Sequence, residues 1–448
     1  MKPSFRRKEK YRKKIEGSIS QLRLLRYGKE QRTKFKSSMQ DQVKIEQVVK
    51  SLISGSAPSM LVHFYCDFAK KAVQLIHRHK GANLINELNI LDQIWSTRGL
   101  NTSLLTAIKN FFYPGYIPPV PCGACAWLYK MKLTFSGNVS ATNLDNFPVL
   151  VHLTNANFNF AHAKANGEDI RFMDSDLCPS AGTPLKHEIE KWDQAGQEAW
   201  VWVKVPRIDG GSVVDFIYMY YGNNAAADGQ DPTNVWDSNF LTVQHFNDTT
   251  GNDSTGNNKD FAPFGTPTLT TGKIGNGVNL DGDDYYKDLD FNLPSDSLFT
   301  FEAWVNPNMD WKSGTPEQGI IDGSAGRATM RYVPGNLEIY LYASSGNQCS
   351  GDYPCTLNQG TWYYVAATYD GTTGRLYLDA TQVVSCNANW VQWEQTAYMG
   401  ARIGDACKMN GIFDEGRISN INRTADWITA QHRSMSGLLI TYGAEELS

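Results

Sequence analysis

Two glutamates, Glu188 and Glu190, come closest in this chain to a catalytic pair. They lie in the segment HEIEKWD (187–193), whose composition suits a β-strand, and residues two apart on a strand point to the same side, about 7 Å apart. Paired carboxyl groups at such a separation are what glycoside hydrolysis uses. No GxSxG, P-loop or HExxH motif occurs elsewhere in the sequence. Because this pair is the single candidate for catalysis, we predict a protein without enzymatic activity. A glycan hydrolase is the third function considered, after the two described at the end of this subsection.

The charge of the chain is divided between two parts. Residues 1–125 carry 22 Lys and Arg against 8 Asp and Glu, and residues 126–448 carry 20 against 38, although the whole chain has a net charge of only −4. Such asymmetry predicts that the two parts meet different partners. No run of about 18 apolar residues is present, so no membrane span is predicted. The basic residues 1–14 are not followed by the apolar segment that a secretory signal peptide needs.

The first part has the pattern of α-helices. Apolar residues recur at helical spacing through residues 1–113, and the segments 59–80, 83–95 and 101–112 are predicted helices. The stretch YPGYIPPVP (113–121) contains four prolines and cannot continue a helix. We predict a basic α-helical domain over residues 1–113 and a proline-rich linker over residues 114–125.

After Cys125 the pattern changes to that of β-strands. The segments 127–135, 147–153, 199–205 and 213–221 alternate in polarity or are continuously apolar, and from Leu241 onward short strands return about every ten residues with Gly, Asn and Asp turns between them. The predicted fold class is multidomain: an α-helical N-terminal domain followed by two antiparallel β-sandwich domains, over residues 126–240 and 241–448.

The first of these β-domains resembles a known family on specific segments. Residues 127–240 resemble a domain of unknown function, found in bacterial, archaeal and phage proteins, that commonly precedes a laminin-G-like domain. The segments that carry the resemblance, in order, are WLYKMKLTF, NFPVLVHL, ANGEDIRFMDSD, TPLKHEIEKWD, AWVWVKVP, IYMYYGN and PTNVWDSNF. No activity is established for that family, so the resemblance implies architecture rather than mechanism.

The last domain resembles a laminin-G-like, concanavalin A-type jelly roll. The matching segments of residues 241–448 are HFNDTTGNDSTGNN, GKIGNGVNLDGDDYY, LPSDSLFTFEAWVNP, GTWYYVAATYDGTTGRLYLDA and GIFDEGRISNINRTADWITAQH. The resemblance implies two packed antiparallel sheets that bind glycans or proteins. The Glu-x-Asp-x-x-Glu strand of related hydrolases is missing from this part of the sequence, and FDEG (413–416) is not an equivalent.

The same resemblance implies a calcium ion. The matching positions are Asp253 with Asn257 or Asn258, in an early turn, and Asp414 before the last strands. Clustered oxygen ligands are what calcium requires. The alternative is that these residues only shape turns, since Asp and Asn favour such loops without any ion.

Aromatic side chains are the candidates for a glycan surface, because sugars stack their apolar faces on aromatic rings. The predicted residues are Trp311, Tyr340, Tyr342, Trp390 and Trp393. Trp390 and Trp393 are the best of them, since WVQW lies in a polar segment. For each single tryptophan, packing in a core is the alternative.

The cysteines indicate an oxidising environment. Cys349 and Cys355 flank a short spacer containing Gly and Pro and are predicted to form one disulfide, and Cys386 and Cys407 are predicted to form a second. The pair Cys122 and Cys125 stands alone as a CxxC motif, so zinc is not expected there.

Seven basic residues lie close together near the start of the sequence, and we predict that they anchor the protein. These residues are Arg6, Arg7, Lys8, Lys10, Arg12, Lys13 and Lys14. Such a run can bind nucleic-acid phosphates or dock on an acidic protein, and the third alternative is a solvated tail without a partner.

These observations predict a viral structural protein, such as a capsid decoration, fibre or tail protein of a phage. Its basic N-terminal part would bind other virion proteins, and its β-sandwiches would bind glycans at the virion surface for host attachment. Many copies acting together would strengthen weak binding, so a multimer is expected. The alternative is an extracellular or cell-surface carbohydrate-binding adhesin of a cell.

Overall fold

Strands are the main regular element of the structure, a computed structural model that describes residues 125–291, 298–323, 328–343, 346–388 and 396–448. The strands of the first group are β1 (Tyr129–Thr134), β2 (Leu144–Thr154), β3 (Arg171–Met173), β4 (His187–Asp193), β5 (Glu198–Ile208) and β6 (Phe216–Tyr221). The strands of the second group are β7 (Phe240–Gln244), β8 (Ala262–Phe264), β9 (Thr268–Thr271), β10 (Asn276–Asp281), β11 (Tyr285–Asp288), β12 (Phe299–Pro307), β13 (Gln318–Gly323), β14 (Ala328–Val333), β15 (Asn336–Ala343), β16 (Gly346–Pro354), β17 (Tyr363–Tyr369), β18 (Thr373–Leu378), β19 (Thr381–Asn387), β20 (Ala397–Met399) and β21 (Asn410–Ser419). They are followed by the helix α1 (Ala425–Met435) and the strand β22 (Thr441–Leu447), and two short 3-10 helices cover Phe160–His162 and Pro232–Asn234.

The first sandwich is built from a four-stranded and a three-stranded antiparallel sheet. The strand orders are β22-β1-β6-β3 and β2-β5-β4. Inward-facing residues such as Leu133, Val149, Val203 and Met219 form its core. Strand β5 contains the continuous apolar run AWVWV, because both faces of its sheet are covered.

The second sandwich is larger and has the strand order of a jelly roll. Its eight-stranded sheet has the order β19-β18-β17-β12-β21-β10-β9, with β7 paired to β21, and its seven-stranded sheet has the order β16-β15-β14-β13-β20-β11-β8. Alternate residues of β12 point into the core between these sheets: Phe301, Ala303 and Val305. The residues between them, including Glu302 and Trp304, point to the other face of the eight-stranded sheet.

That other face packs against the first sandwich. Trp304 and Tyr364 of the eight-stranded sheet join the same apolar cluster as Trp202 of β5 and Trp427 of α1. Truncation of a tryptophan in such a cluster costs about 3–5 kcal/mol of unfolding free energy. Residues 122–448 accordingly form one compact unit.

The C-terminal elements join the two sandwiches further. Thr424 caps α1 by accepting a hydrogen bond from the Trp427 backbone N–H at 3.2 Å. Asp426, in the first turn of α1, accepts hydrogen bonds from the backbone N–H groups of Ala141 and Thr142, both at 3.0 Å, in the β1–β2 connection. Strand β22 then pairs with β1, so the last residues of the chain complete a sheet of the first sandwich.

The predicted fold class is wrong in naming an α-helical domain. The described ranges are almost entirely β-sandwich, and α1 is the one α-helix among them. The predicted helices over residues 1–113 and the linker over 114–124 lie outside the described residues. Helical spacing of apolar residues is a local pattern, and it is a weak indicator of a folded helix without a tertiary partner. Among the described helices, none has the length and apolarity to cross a bilayer.

Candidate functional site

A group of buried charged residues lies between the two sandwiches. This junction cluster consists of Glu188 and Glu190 on β4, His245 directly after β7, and Glu415 and Arg417 on β21. Their side chains are 0–10% exposed. Strand β4 belongs to the first sandwich and β21 to the second, so the packing of the two sandwiches assembles the cluster.

His245 is at the centre of the junction cluster. Its Nδ1 lies 2.6 Å from Glu415 Oε1 and 3.4 Å from Glu190 Oε2, and its Nε2 lies 3.5 Å from Glu188 Oε2. The second oxygen of Glu415 accepts a hydrogen bond from Arg417. One imidazole therefore contacts carboxylates from both sandwiches.

Two tryptophans complete the surroundings of these charges. The indole N–H of Trp202 donates to Glu190 Oε2 at 2.7 Å, and that of Trp236 donates to Glu188 Oε2 at 3.0 Å. The guanidinium of Arg417 lies 4.5 Å from the ring centre of Trp202 and 5.0 Å from that of Trp236. These are distances at which a cation is attracted to an aromatic face.

Burial and mutual charge determine the protonation of the cluster. Burial, followed by the charge of Glu415, raises the pKa of Glu190 to about 8. Burial would also raise the pKa of Glu415, but the charges of His245 and Arg417 outweigh it and lower the pKa to about 2. Burial would lower the pKa of His245, but the carboxylates of Glu415 and Glu190 raise it well above its ordinary value. Pairing with His245 and Arg417 thus favours the ionised form of Glu415, whereas burial favours the neutral form of Glu190.

Glu188 and Glu190 do share one side of the chain, as the strand spacing predicts, since both approach His245. Each is buried by the second sandwich, and the carboxylate of each accepts a hydrogen bond from a tryptophan N–H. A polysaccharide has no open path to a pair enclosed in this way, so the geometry gives no support to glycoside hydrolysis by these two residues.

A second polar group lies on the outer face of the seven-stranded sheet. This sheet-face patch consists of Glu317, Arg331, Glu338, Tyr340 and Tyr342. Arg331 Nη1 lies 2.7 Å from Glu317 Oε1, and Arg331 Nε lies 2.5 Å from Glu338 Oε2. Burial would lower the pKa of Arg331, but the hydrogen bond and charge of Glu338, with those of Glu317, raise it.

The two tyrosines of the patch lie beside these ion pairs. The rings of Tyr340 and Tyr342 stack with their centroids 6.3 Å apart, and the Arg331 guanidinium lies 4.7 Å from the Tyr340 ring centre. Both tyrosines are half-buried, so each presents part of a ring to solvent. The patch thus combines aromatic rings with planar charged groups that have both donors and acceptors.

Local chain geometry explains how the patch forms. Pro334 and Gly335 form the two-residue turn between β14 and β15, and Gly335 has a φ of +86°, which a type II turn requires. This turn places Arg331 directly opposite Glu338. Sequence reasoning missed this pair, although the Pro-Gly turn is a signal that could have indicated it.

A loop over residues 401–408 covers the middle of the same sheet face. Arg402 Nη1 contacts Glu317 Oε1 at 2.7 Å, and the backbone N–H of Ile403 donates to Asp322 at 3.0 Å. Gly319 permits this contact, because a Cβ atom there would lie 2.4 Å from the backbone carbon of Ala401. Glu317 of the sheet-face patch thus contacts both this loop and Arg331.

The predicted glycan-binding tryptophans are not brought to this patch. Trp311 is fully buried, with its indole N–H directed to the carbonyl of Asn410 at 3.3 Å, so it is part of the core of the second sandwich. The prediction of Trp311 as a sugar-stacking residue is therefore wrong, since a ring without exposed surface cannot contact a sugar. Trp390 and Trp393 lie outside the described residues.

The predicted calcium ligands are already engaged in hydrogen bonds. Asp253 accepts from the backbone N–H groups of Val243 and Lys259, at 3.0 and 2.9 Å, and Asp414 accepts from that of Ile274 at 2.9 Å. The side-chain amide of Asn257 donates to the carbonyls of Phe240 and Leu241, at 2.9 and 3.1 Å. In this arrangement the three residues do not fit a calcium ion, because donors occupy the oxygens that would bind it. Calcium binding by the protein stays a prediction, without a site at these positions.

The predicted disulfide pairing is wrong. The structure joins Cys349 to Cys386, with their Cα atoms 5.8 Å apart, and Cys125 to Cys178. Cys355 and Cys407 are free thiols. The spacing of cysteines along the chain does not determine their distances, and here the bridge connects β16 of one sheet to β19 of the other.

The predicted anchoring residues cannot be placed. Residues Arg6, Arg7, Lys8, Lys10, Arg12, Lys13 and Lys14 lie outside the described ranges, and so does Cys122.

Two family models match the part of the chain that forms the sandwiches. Residues 166–259 match the model of a domain of unknown function, DUF2341, and residues 280–429 match that of the concanavalin A-like lectin/glucanases superfamily. The chain carries a DUF2341 domain followed by a laminin-G-like, concanavalin A-like domain. The predicted resemblance is confirmed. The junction cluster combines Glu188, Glu190 and His245 from the DUF2341 match with Glu415 and Arg417 from the concanavalin A-like match.

Solved structures show weaker similarity. Domain 4 of AbnA, an extracellular GH43 arabinanase from Geobacillus stearothermophilus in complex with arabinotriose, is 19% identical, with a TM-score of 0.31 over 42% of this chain and 96% of that one. The binding domain of botulinum neurotoxin DC in complex with rat synaptotagmin II and that of Paraclostridial Mosquitocidal Protein 1 are each 14% identical, with TM-scores of 0.38 over 44% of this chain. This chain spans 52% of those two toxin domains. Likeness at this level says nothing about what this chain binds. No curated protein matches the chain.

Proposed function

We propose that the protein is a non-catalytic glycan-binding protein and that the sheet-face patch of the concanavalin A-like domain contacts the sugar. The observation that carries this proposal is the patch itself, with two stacked tyrosines beside a network of Arg331, Glu317 and Glu338. Tyrosine rings suit the apolar faces of sugar rings, and fixed polar groups suit the hydroxyls. The match to a superfamily of lectins and glucanases supports the same class of ligand.

The absence of catalysis is part of the proposal. The carboxyl pair with suitable spacing, Glu188 and Glu190, is enclosed at the junction of the two domains. Release of reducing ends from a polysaccharide panel by the wild-type protein, but not by Glu190→Gln, would contradict this part. Binding without product release is the expected result.

A glycan array probed with the full-length protein tests the binding. Substitution Tyr340→Ala is expected to weaken binding to the best glycan about two- to tenfold, because stacking on one ring is worth about 0.5–1.5 kcal/mol. The matched control is Tyr218→Ala, which removes a half-buried strand tyrosine of the DUF2341 domain and should leave glycan affinity unchanged. Equal loss in both variants, or no loss in Tyr340→Ala, would place the glycan site elsewhere.

We further propose that the protein is displayed in many copies at a virion surface, with cell-surface display as the alternative. The charge difference between residues 1–125 and 126–448 supports separate partners for the two parts, virion proteins for the first and glycans for the second. Multivalent display would convert weak binding of each copy into strong attachment.

Immunogold labelling of purified particles tests this setting. An antibody against the concanavalin A-like domain is expected to label the outer surface of the particles. Label confined to the surface of producing cells would favour a cellular adhesin instead.

A further inference from the structure

The junction cluster has the composition of a metal site as well as that of an ion-pair network. Glu190, His245 and Glu415 each offer one ligand atom, and these three atoms lie within 4.8 Å of one another. Nδ1 is the imidazole atom that faces both carboxylates, at 3.4 Å from Glu190 Oε2 and 2.6 Å from Glu415 Oε1. Zinc binds such ligands at about 2.0–2.2 Å, which puts the ligand atoms somewhat more than 3 Å apart. Glu190 Oε2 already has this spacing but accepts from Trp202, so the unoccupied Oε1 of the same carboxyl group is the oxygen left to bind an ion. Glu415 would have to move back by less than about 1 Å.

An unpartnered polar atom in the cluster points to a missing ligand. Glu190 Oε1 is buried without any hydrogen-bond partner, in a side chain that is 0% exposed. A buried carboxylate oxygen of this kind carries a large desolvation cost that a bound cation would offset.

The approach to this oxygen is kept open by a glycine. Gly275 has a φ of +53°, and a Cβ atom at that position would lie 3.1 Å from Glu190 Oε1. A side chain there would crowd the oxygen, whereas the glycine leaves it room.

The balance of charge favours a cation once the ligands are deprotonated, as metal binding requires. Glu188, Glu190 and Glu415 then meet a single cationic side chain, Arg417, in this buried layer. The neighbours also hold the ligands in place, since Trp202 donates to Glu190 and Arg417 donates to the second oxygen of Glu415. Hydrogen bonds of this type orient the ligands in known metal sites.

We propose that Glu190, His245 and Glu415 bind one divalent transition-metal ion of the zinc class, which joins the DUF2341 domain to the concanavalin A-like domain. One imidazole nitrogen and two carboxylate oxygens are a ligand set of zinc and related ions. Calcium is disfavoured at this site, because it takes six to eight oxygen ligands. The proposal is independent of glycan binding, since the sheet-face patch lies on the other sheet of the domain.

Metal binding by the full-length protein tests the proposal. After removal of metals with a chelator and dialysis, the wild-type protein is expected to bind one equivalent of Zn²⁺ or Co²⁺, with visible absorption from protein-bound Co²⁺. Variants Glu190→Gln and His245→Gln are expected to lose this binding. The matched control is Glu302→Gln, which changes a buried carboxyl on the neighbouring strand β12 and should retain it.

A second measurement uses only the wild-type protein and so does not depend on whether a variant folds. Unfolding temperature is expected to fall when the chelator is added and to return when Zn²⁺ is restored. No stoichiometric metal in the wild-type protein, or unchanged metal binding in Glu190→Gln, would overturn the proposal and leave protons alone to hold the cluster together.

Discussion

His187 provides a quantitative test of burial in the DUF2341 domain. It begins β4, is fully buried, and neither of its ring nitrogens has a hydrogen-bond partner. The Phe172 ring lies against it, with ring centroids 5.5 Å apart. Burial and then the charge of Arg171 lower the pKa of His187 to about 4, because the backbone of Leu185 and the nearby carboxylates of Asp228 and Asp231 only partly oppose them.

This shift has a definite sign for stability. The folded protein keeps His187 neutral, whereas the unfolded chain takes up a proton below its ordinary pKa of 6.5. The unfolded state therefore binds more protons between pH 6.5 and pH 4, and stability that is fully present above pH 6.5 is lost as the pH falls through this window. The difference in pKa corresponds to about 3 kcal/mol in all, of which about 2 kcal/mol is lost between about pH 7.5 and pH 5.

Substitution His187→Leu is expected to remove this part of the pH dependence. Urea unfolding followed by tryptophan fluorescence at about pH 7.5 and pH 5 should show that the variant loses about 2 kcal/mol less than the wild-type protein over this range. At the higher pH the variant should be at least as stable, because it removes two buried nitrogens without partners. The control Phe172→Leu alters the packing around the same ring without a titrating group, so it should lower stability similarly at both pH values. If His187→Leu and the wild-type protein lose equal stability on acidification, the reasoning is refuted.

Two further predictions concern covalent and ionic links. Substitution Cys349→Ser is expected to lower the free energy of unfolding by about 4 kcal/mol, because its disulfide closes a loop with a sequence separation of 37 residues. Denaturant unfolding measures this loss. The control Cys355→Ser removes a free thiol and should change the free energy of unfolding much less. Substitution Arg417→Met is expected to cost about 3–5 kcal/mol of unfolding free energy, because it removes one of the two cationic partners of the buried Glu415. Calorimetry measures this against Arg207→Met, a change at the exposed ion pair with Asp209, and equal effects of the two variants would contradict the role of burial.

Much of the β-structure could be predicted from local pattern. The predicted strand segments 127–135, 147–153, 199–205 and 213–221 coincide with β1, β2, β5 and β6 within a few residues. Alternation of apolar residues is a local property, so it can be recognised wherever one face of a strand is buried. The predictions that failed depended on distances between remote residues. Cys349 was assigned to Cys355, six positions away, but the packing of the two sheets places Cys386 beside it.

The candidate sites also combine features that local spacing predicts with contacts that it does not predict. Tyr340 and Tyr342 share a face because they are two residues apart on one strand. Glu188 and Glu190 have the same spacing and both approach His245, although the pairing of β4 with β5 shifts register at Glu190. Nothing local connects the two glutamates to His245 or Glu415. These residues meet because β7 pairs with β21 and because the eight-stranded sheet packs on the three-stranded sheet.

The amino-acid sequence by itself determined that strands are the main regular element after Cys125, which domain families the chain carries, and how its charge is divided. Those properties depend on residue type and short-range order. Only the tertiary structure decided that the two sandwiches share a buried layer of charge, that Trp311 is a core residue and that the last strand returns to the first sheet. Such contacts depend on which faces pack together, and the pattern within one strand does not specify its partner.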